Sequence, residues 1–168
     1  MRQERGVLMS FDITEIPSET LCEAGRRLQA AHDYIETAGF NISVYRPYRE
    51  SGAYRESGAC CYIGSVKHVA EDEDFHSPWT GDGLPLEGSK KITAASRAAL
   101  LVMDAIAEGE GYGRDEWNEW KYPGRAVEMM GLANEGEKEA EKALSVFREA
   151  LRNVFTELER RDYKGDTK

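Results

Sequence analysis

The sequence predicts a mainly α fold: a single-domain bundle of about five helices, with a small β-hairpin or extended segment near 40–60. Three observations carry this expectation. Leu21, Ala24, Leu28, Ala31, Ile35 and Ala38 step by three and four residues, and so do Ala140, Leu144, Phe147, Leu151, Val154 and Leu158. At 3.6 residues per turn each row occupies one side of a helix. The other sides are polar, so each row must find cover, most directly from the other helices of the same chain. Glycines at 39, 109 and 136 fall where the patterned segments stop. The 168 residues, 40% hydrophobic and 32% charged, suit one globular domain.

Residues 1–16 read as an N-terminal arm. Its apolar patch, Val7 to Met9 with Phe11, Ile13 and Ile16, suits a short strand or a segment that packs on the body. The main domain spans 17–163. Pro17 and Ser18 announce the first helix, with Ser18 or Thr20 as the cap and Glu23 at capping-box distance from Thr20. It runs to Ala38, and Gly39 stands where a left-handed C-terminal residue belongs. Phe40 to Tyr48 is rich in aromatic and β-branched residues, which suits a short strand broken at Pro47. Cys60 to Ala70 is the second helix, with Ile63, Val66, Val69 and Ala70 on its apolar face.

Residues 71–88 form a long acidic loop. A third helix runs from a Ser89 cap to Glu108, with Ile92, Ala95, Ala99, Val102 and Ile106 as its stripe, widened by Leu100, Leu101 and Met103. Gly109 ends it. An aromatic-rich connection follows to Gly124, then a helix near Arg125–Asn134 and a last long helix near Glu137–Arg161. The tail 164–168 frays.

The net charge of −9 disfavours nucleic acid and anionic membranes as partners, since both repel an acidic surface. No apolar run reaches bilayer length, and no secretory signal is visible. The cysteines are three, and Cys60 and Cys61 are neighbours, which fits reduced thiols in a cytoplasm.

The sharpest chemical candidate is Cys61 with Ser65 and His68 at helical spacing. A helix N-terminus favours a thiolate, and His76 from the acidic loop is a possible base. Structural burial is the competing reading, because cysteine is among the most buried residue types. Cys60, Cys61, His68, Asp72, Asp74 and His76 lack the paired spacing of a zinc site, so no metal and no cofactor are expected. GEGYG at 109–113 follows a helix and lacks the Lys-Ser/Thr ending of a phosphate loop.

Two patches read as recognition surfaces. One is Trp117, Asn118, Trp120 and Tyr122, where aromatics offer large contact area at low entropy cost. The other is Tyr45, Tyr48 and Tyr54 with Arg46, Arg49 and Arg55, which can hold an anionic ligand. The last helix also carries a heptad-like stripe that suits a homodimer.

From Leu21 onward the order of pieces resembles a family of small proteins from actinobacteria and their bacteriophages. The pieces are the helix end Ile35–Gly39, Tyr45, the motif Cys61-Tyr62-Ile63-Gly64, the helix Ala98–Ile106, the pair Trp117-Asn118 and the closing helix Val146–Val154. Glu119 stands where the family commonly has aspartate, and residues 120–139 look inserted. The resemblance implies a fold and a bacteriophage origin, not a reaction. The functional expectation is therefore a non-enzymatic binding protein that engages a host or viral macromolecule through its aromatic and acidic loops. The alternatives are a cysteine-dependent hydrolase or transferase and a sponge for a small anionic ligand or nucleotide.

Overall fold

A computed structural model describes residues 12–41, 58–70, 94–112, 124–133 and 139–163. They form a 3-10 turn, Ile13–Glu15, and five helices: α1 (Ser18–Ala38), α2 (Tyr62–Ala70), α3 (Ala94–Gly109), α4 (Arg125–Ala133) and α5 (Glu139–Arg160). Of the expected N-terminal arm 1–16, residues 1–11 lie outside the described residues, as do the acidic loop, the Ser89 cap, Ile92 and the 164–168 tail, while Ile13 and Ile16 pack against the core. Among the described residues, no helix is long and apolar enough to cross a membrane.

The two apolar rows meet as the sequence requires. Leu21, Ala24, Leu28, Ala31 and Ile35 of α1 are buried, and so are Phe147, Leu151, Val154 and Leu158 of α5. Ala143, Val146 and Ala150 add to the α5 row, which is wider than the single stripe predicts. Ser18 Oγ lies 3.0 Å from the Arg161 guanidinium, while Gly25 faces Val154. The two helices are therefore antiparallel. α1 also packs on α2 and α3, and α3 packs on α4 and α5. At the centre, the Tyr62 ring stands 4.6 Å from Phe40 and 5.9 Å from Phe147, an aromatic stack that joins α2 to α5. Leu101, expected to widen the α3 stripe, is only half-buried.

Several ends differ from the expectation, each for a physical reason. No side chain caps α1. Its first amide bond runs from Leu21 N–H to the Pro17 carbonyl, and the Ser18 hydroxyl accepts from Arg161 instead. Gly39 has φ +101° and ψ 166°, an extended backbone open to glycine rather than a left-handed turn. α2 starts at Tyr62, because Cys61 takes the N-cap position and its Sγ accepts from Gly64 N–H at 3.4 Å. α3 continues through Gly109. Gly111, at φ +98°, closes it, with bonds from Gly111 N–H to Glu108 and from Tyr112 N–H to Ala107. That is the Schellman arrangement. Near 40–60 the described pairing is an isolated parallel bridge between Phe40 and Cys60. Residues 42–57, where the expected hairpin or extended segment falls, lie outside the described residues.

α4 is started from a distance. Asp104, buried in α3, accepts from Gly124 N–H at 2.6 Å and from Val127 N–H at 3.0 Å, with Ala126 N–H also on the carboxylate. The first amides of a helix have no partner within it, and the two oxygens of the Asp104 carboxyl group match their geometry and accept from them.

Candidate functional site

An open groove of about 740 Å³ runs along one flank of the α1–α5 contact. α1 supplies Cys22, Gly25, Arg26, Gln29, Ala30 and Asp33, a spacing that keeps them on one helix face. Three of these are small, so the α1 wall is low. Gly25 is the closest approach: a Cβ there would stand 3.1 Å from Val154 Cγ1.

α5 supplies the opposite lip. Val154 points into the core, so Phe155, about 100° further round the helix, cannot follow it. Phe155 is 56% exposed, the one large hydrophobic side chain so exposed among the described residues. Below it, Leu158 and Tyr163 close the floor. Tyr163 is placed by the end of α5: Asp162 adopts φ 55°, Asp162 N–H bonds Glu159 and Tyr163 N–H bonds Leu158. The residue in Tyr163's position of such a motif commonly packs on the one in Leu158's.

The groove lining is mostly apolar, with charge at its rim. Arg26 pairs with Glu23 at 2.7 Å. Asp33 accepts from the His32 ring at 3.0 Å and from Gln29 at 3.1 Å, and the His32 bond foremost holds its carboxyl below the usual range. Glu159 stands beside Phe155 as an exposed carboxylate.

His32, Asp33 and Glu36 place one ligand atom each within 4.8 Å of one another. Asp33 and Glu36 are exposed, and a divalent ion there would compete with the His32–Asp33 hydrogen bond.

The candidate nucleophile has a different environment from the one the sequence suggests. Cys61 is 3% exposed, and burial, with the Glu128 carboxylate beside it, pushes its thiol well above the usual range. The single Gly64 N–H bond that favours a thiolate does not offset this. The expected lowering by the helix start is thus reversed, because the same position that offers amides also lies in the core. Ser65 Oγ donates back to the Tyr62 carbonyl at 2.8 Å. His68 rests against the Tyr34 ring at 4.7 Å. Burial likewise raises Cys60 to about 12. All three cysteines are buried free thiols.

His76, Tyr45, Arg46, Arg49, Arg55, Trp117, Asn118, Trp120 and Tyr122 lie outside the described residues, as do Tyr48, Tyr54, Asp72 and Asp74. The groove residues were not singled out from the sequence. Phe155 did carry a signal: an aromatic just off the apolar row, on a helix face otherwise built from Arg148, Arg152 and Glu159.

Comparison with protein-family models, with curated proteins and with solved structures found no match to this chain.

Proposed function

We propose that this protein is a non-enzymatic interaction protein whose α1–α5 groove receives another polypeptide. The observation that carries the reading is Phe155, half in water on the lip of a mostly apolar groove. A large aromatic at the edge of a mostly apolar groove is the kind of side chain that protein contacts favour. The groove follows α1 from Cys22 to Asp33, a length of roughly 16 Å at 1.5 Å per residue. It stays open to solvent along that length, whereas small-ligand sites enclose most of the ligand.

Two further supports come from the sequence. Trp117, Asn118, Trp120 and Tyr122, with the acidic segment 71–89, are proposed as a second region for a host or viral macromolecule. We propose a bacteriophage origin on the resemblance of the motif order to that of small actinobacterial and bacteriophage proteins. The cysteine-dependent alternative must work against the protonated state that its surroundings impose on Cys61. The anionic-sponge alternative rests on Arg46, Arg49 and Arg55.

The test is a photo-crosslinking amino acid, benzoylphenylalanine, at position 155 of the full chain. Irradiation is expected to give covalent adducts to polypeptide, mapped by mass spectrometry, that are lost on blocking the groove with Ala30→Trp. No adduct to a polypeptide other than the chain's own groove residues, with the fold intact by circular dichroism, would sink the reading.

A further inference from the structure

The exposed side of α5 carries an ordered series. Arg148, Arg152, Phe155 and Glu159 are separated by four, three and four residues, and Asp162 follows three further on in the closing turn. All five are exposed. The 4-3-4 spacing places Arg148, Arg152, Phe155 and Glu159 along one ridge of the helix, the spacing that lets two helices meet side by side, and Asp162 stands in the turn just past its end. The ridge is cationic before Phe155 and anionic after it.

Such an ordering is complementary to its own reverse. When two identical helices run antiparallel about a two-fold axis at residue 155, a residue seven before the axis faces one seven after it. Arg152, three before the axis, then lies beside Glu159 of the other copy, four after it, and Arg148 lies opposite the other copy's closing turn, which carries Asp162. Phe155 meets Phe155. A parallel pairing would instead set Arg148 and Arg152 against themselves and Glu159 against itself, so charge selects the antiparallel orientation. The same side of α5 borders the groove lined by Cys22, Gly25, Ala30, Leu158 and Tyr163. A second α5 laid along this ridge therefore also borders that groove.

We infer that the polypeptide occupying the groove is a second copy of this chain, paired through antiparallel α5 helices about an axis at Phe155. The inference rests on the reading of the groove as a polypeptide-docking surface, and it names the partner. The apolar contact at the axis supplies the attraction and the flanking charges set orientation, since exposed ion pairs contribute little each.

The experiment is sedimentation equilibrium of the full chain from about 1 µM to about 1 mM, the range in which small interfaces associate. Wild type is expected to reach dimer, and Phe155→Glu to stay monomeric with an unchanged melting temperature. Glu159→Arg alone is expected to weaken association by about threefold or more, through its two symmetry-related pairs, although it lowers the net negative charge and so relieves general repulsion. Arg152→Glu with Glu159→Arg is expected to restore it, because the pairing is merely exchanged. Under oxidised glutathione, Phe155→Cys is expected to form a disulfide with its symmetry mate, and Ser145→Cys, well off the axis, is not. A wild-type monomer throughout would overturn the inference, as would tighter association in Glu159→Arg or a dimer indifferent to Phe155→Glu. If the chain is monomeric but position 155 still crosslinks to a different polypeptide, the groove reading stands and only the self-pairing falls.

Discussion

The Asp104 carboxylate accepts the Gly124 N–H at 2.6 Å, so a side chain of α3 supplies the cap that α4 does not carry itself. Asp104→Ala removes the acceptor for at least two buried amides, Gly124 and Val127. Each orphaned buried donor costs about 1–3 kcal/mol. A loss of roughly 2–5 kcal/mol is expected in urea unfolding, with the largest gain of amide exchange at 124–127.

The same carboxyl sets a pH dependence. Burial pushes Asp104 up to about 8, against the pull of the amides from Gly124 and Val127. An unfolded aspartate releases its proton near pH 3.9. Between those values the folded state binds more protons than the unfolded one, so Asp104's contribution to stability declines as pH rises from about 4 to about 8 and is level above. The melting-temperature difference, wild type minus Asp104→Asn, should therefore shrink over that window. A difference independent of pH would contradict it.

Gly124 is a position where only glycine fits. Its φ is +98°, and a Cβ would stand 2.8 Å from both Cγ1 and Cδ1 of Ile63. Gly124→Ala combines backbone strain with overpacking, each worth about 1–3 kcal/mol. The melting temperature is expected to fall by roughly 4–24 °C, and Ile63→Val in the same chain should recover part of the loss.

Arg161 joins the two ends of the described chain. Its guanidinium donates to the carbonyls of Ile16 at 2.8 Å and Ile13 at 3.1 Å, to Ser18 Oγ, and to Glu157 at 2.7 Å. A lysine offers one point charge and cannot span that set. Arg161→Lys is expected to destabilise nearly as much as Arg161→Met, about 1–3 kcal/mol, with amide protection lost first at residues 14–18.

Glu157 responds at the acid end. Hydrogen bonds from Arg160 and then Arg161 hold its carboxyl down to about 2. The folded state keeps it ionised where an unfolded glutamate takes up a proton, so this support is present above about pH 4.5 and is lost as pH falls toward 2. Arg161→Met should flatten part of that acid loss in a pH series of melting temperatures.

Cys22, Cys60 and Cys61 should alkylate together and slowly. All three are buried, and burial raises Cys60 and Cys61. Iodoacetamide at neutral pH is expected to label them at rates that follow added denaturant. Fast labelling of Cys61 alone in the native protein would restore the nucleophile reading.

What the sequence made legible was whatever depends on periodicity. Leu28, Phe147 and Val154 face the core because 3.6 residues per turn leaves them no other place, and five helices follow from five such runs. What it hid depends on pairs distant in the chain. Nothing local marks Asp104 as the cap of a helix beginning at Arg125, although an acid amid Leu101, Val102 and Met103 is the kind of residue to ask about. Ser18 looked like a cap because its partner, Arg161, is 143 positions away. Cys61 was read by its place at a helix start, and the decisive factor was the core around it. Phe155 was passed over because it sits one residue off the row that drew the eye.

The pairing of α1 with α5 has a consequence during synthesis. Ser18 and Arg161 are 143 positions apart. At roughly 5–20 residues per second, the ribosome needs on the order of 7–30 s to reach one after the other. For that interval α2 and α3 can reach the newborn first helix, but the part of its greasy side that α5 covers has no native mate. The cell must tolerate it, or a chaperone must shield it, until the final twenty-odd residues emerge.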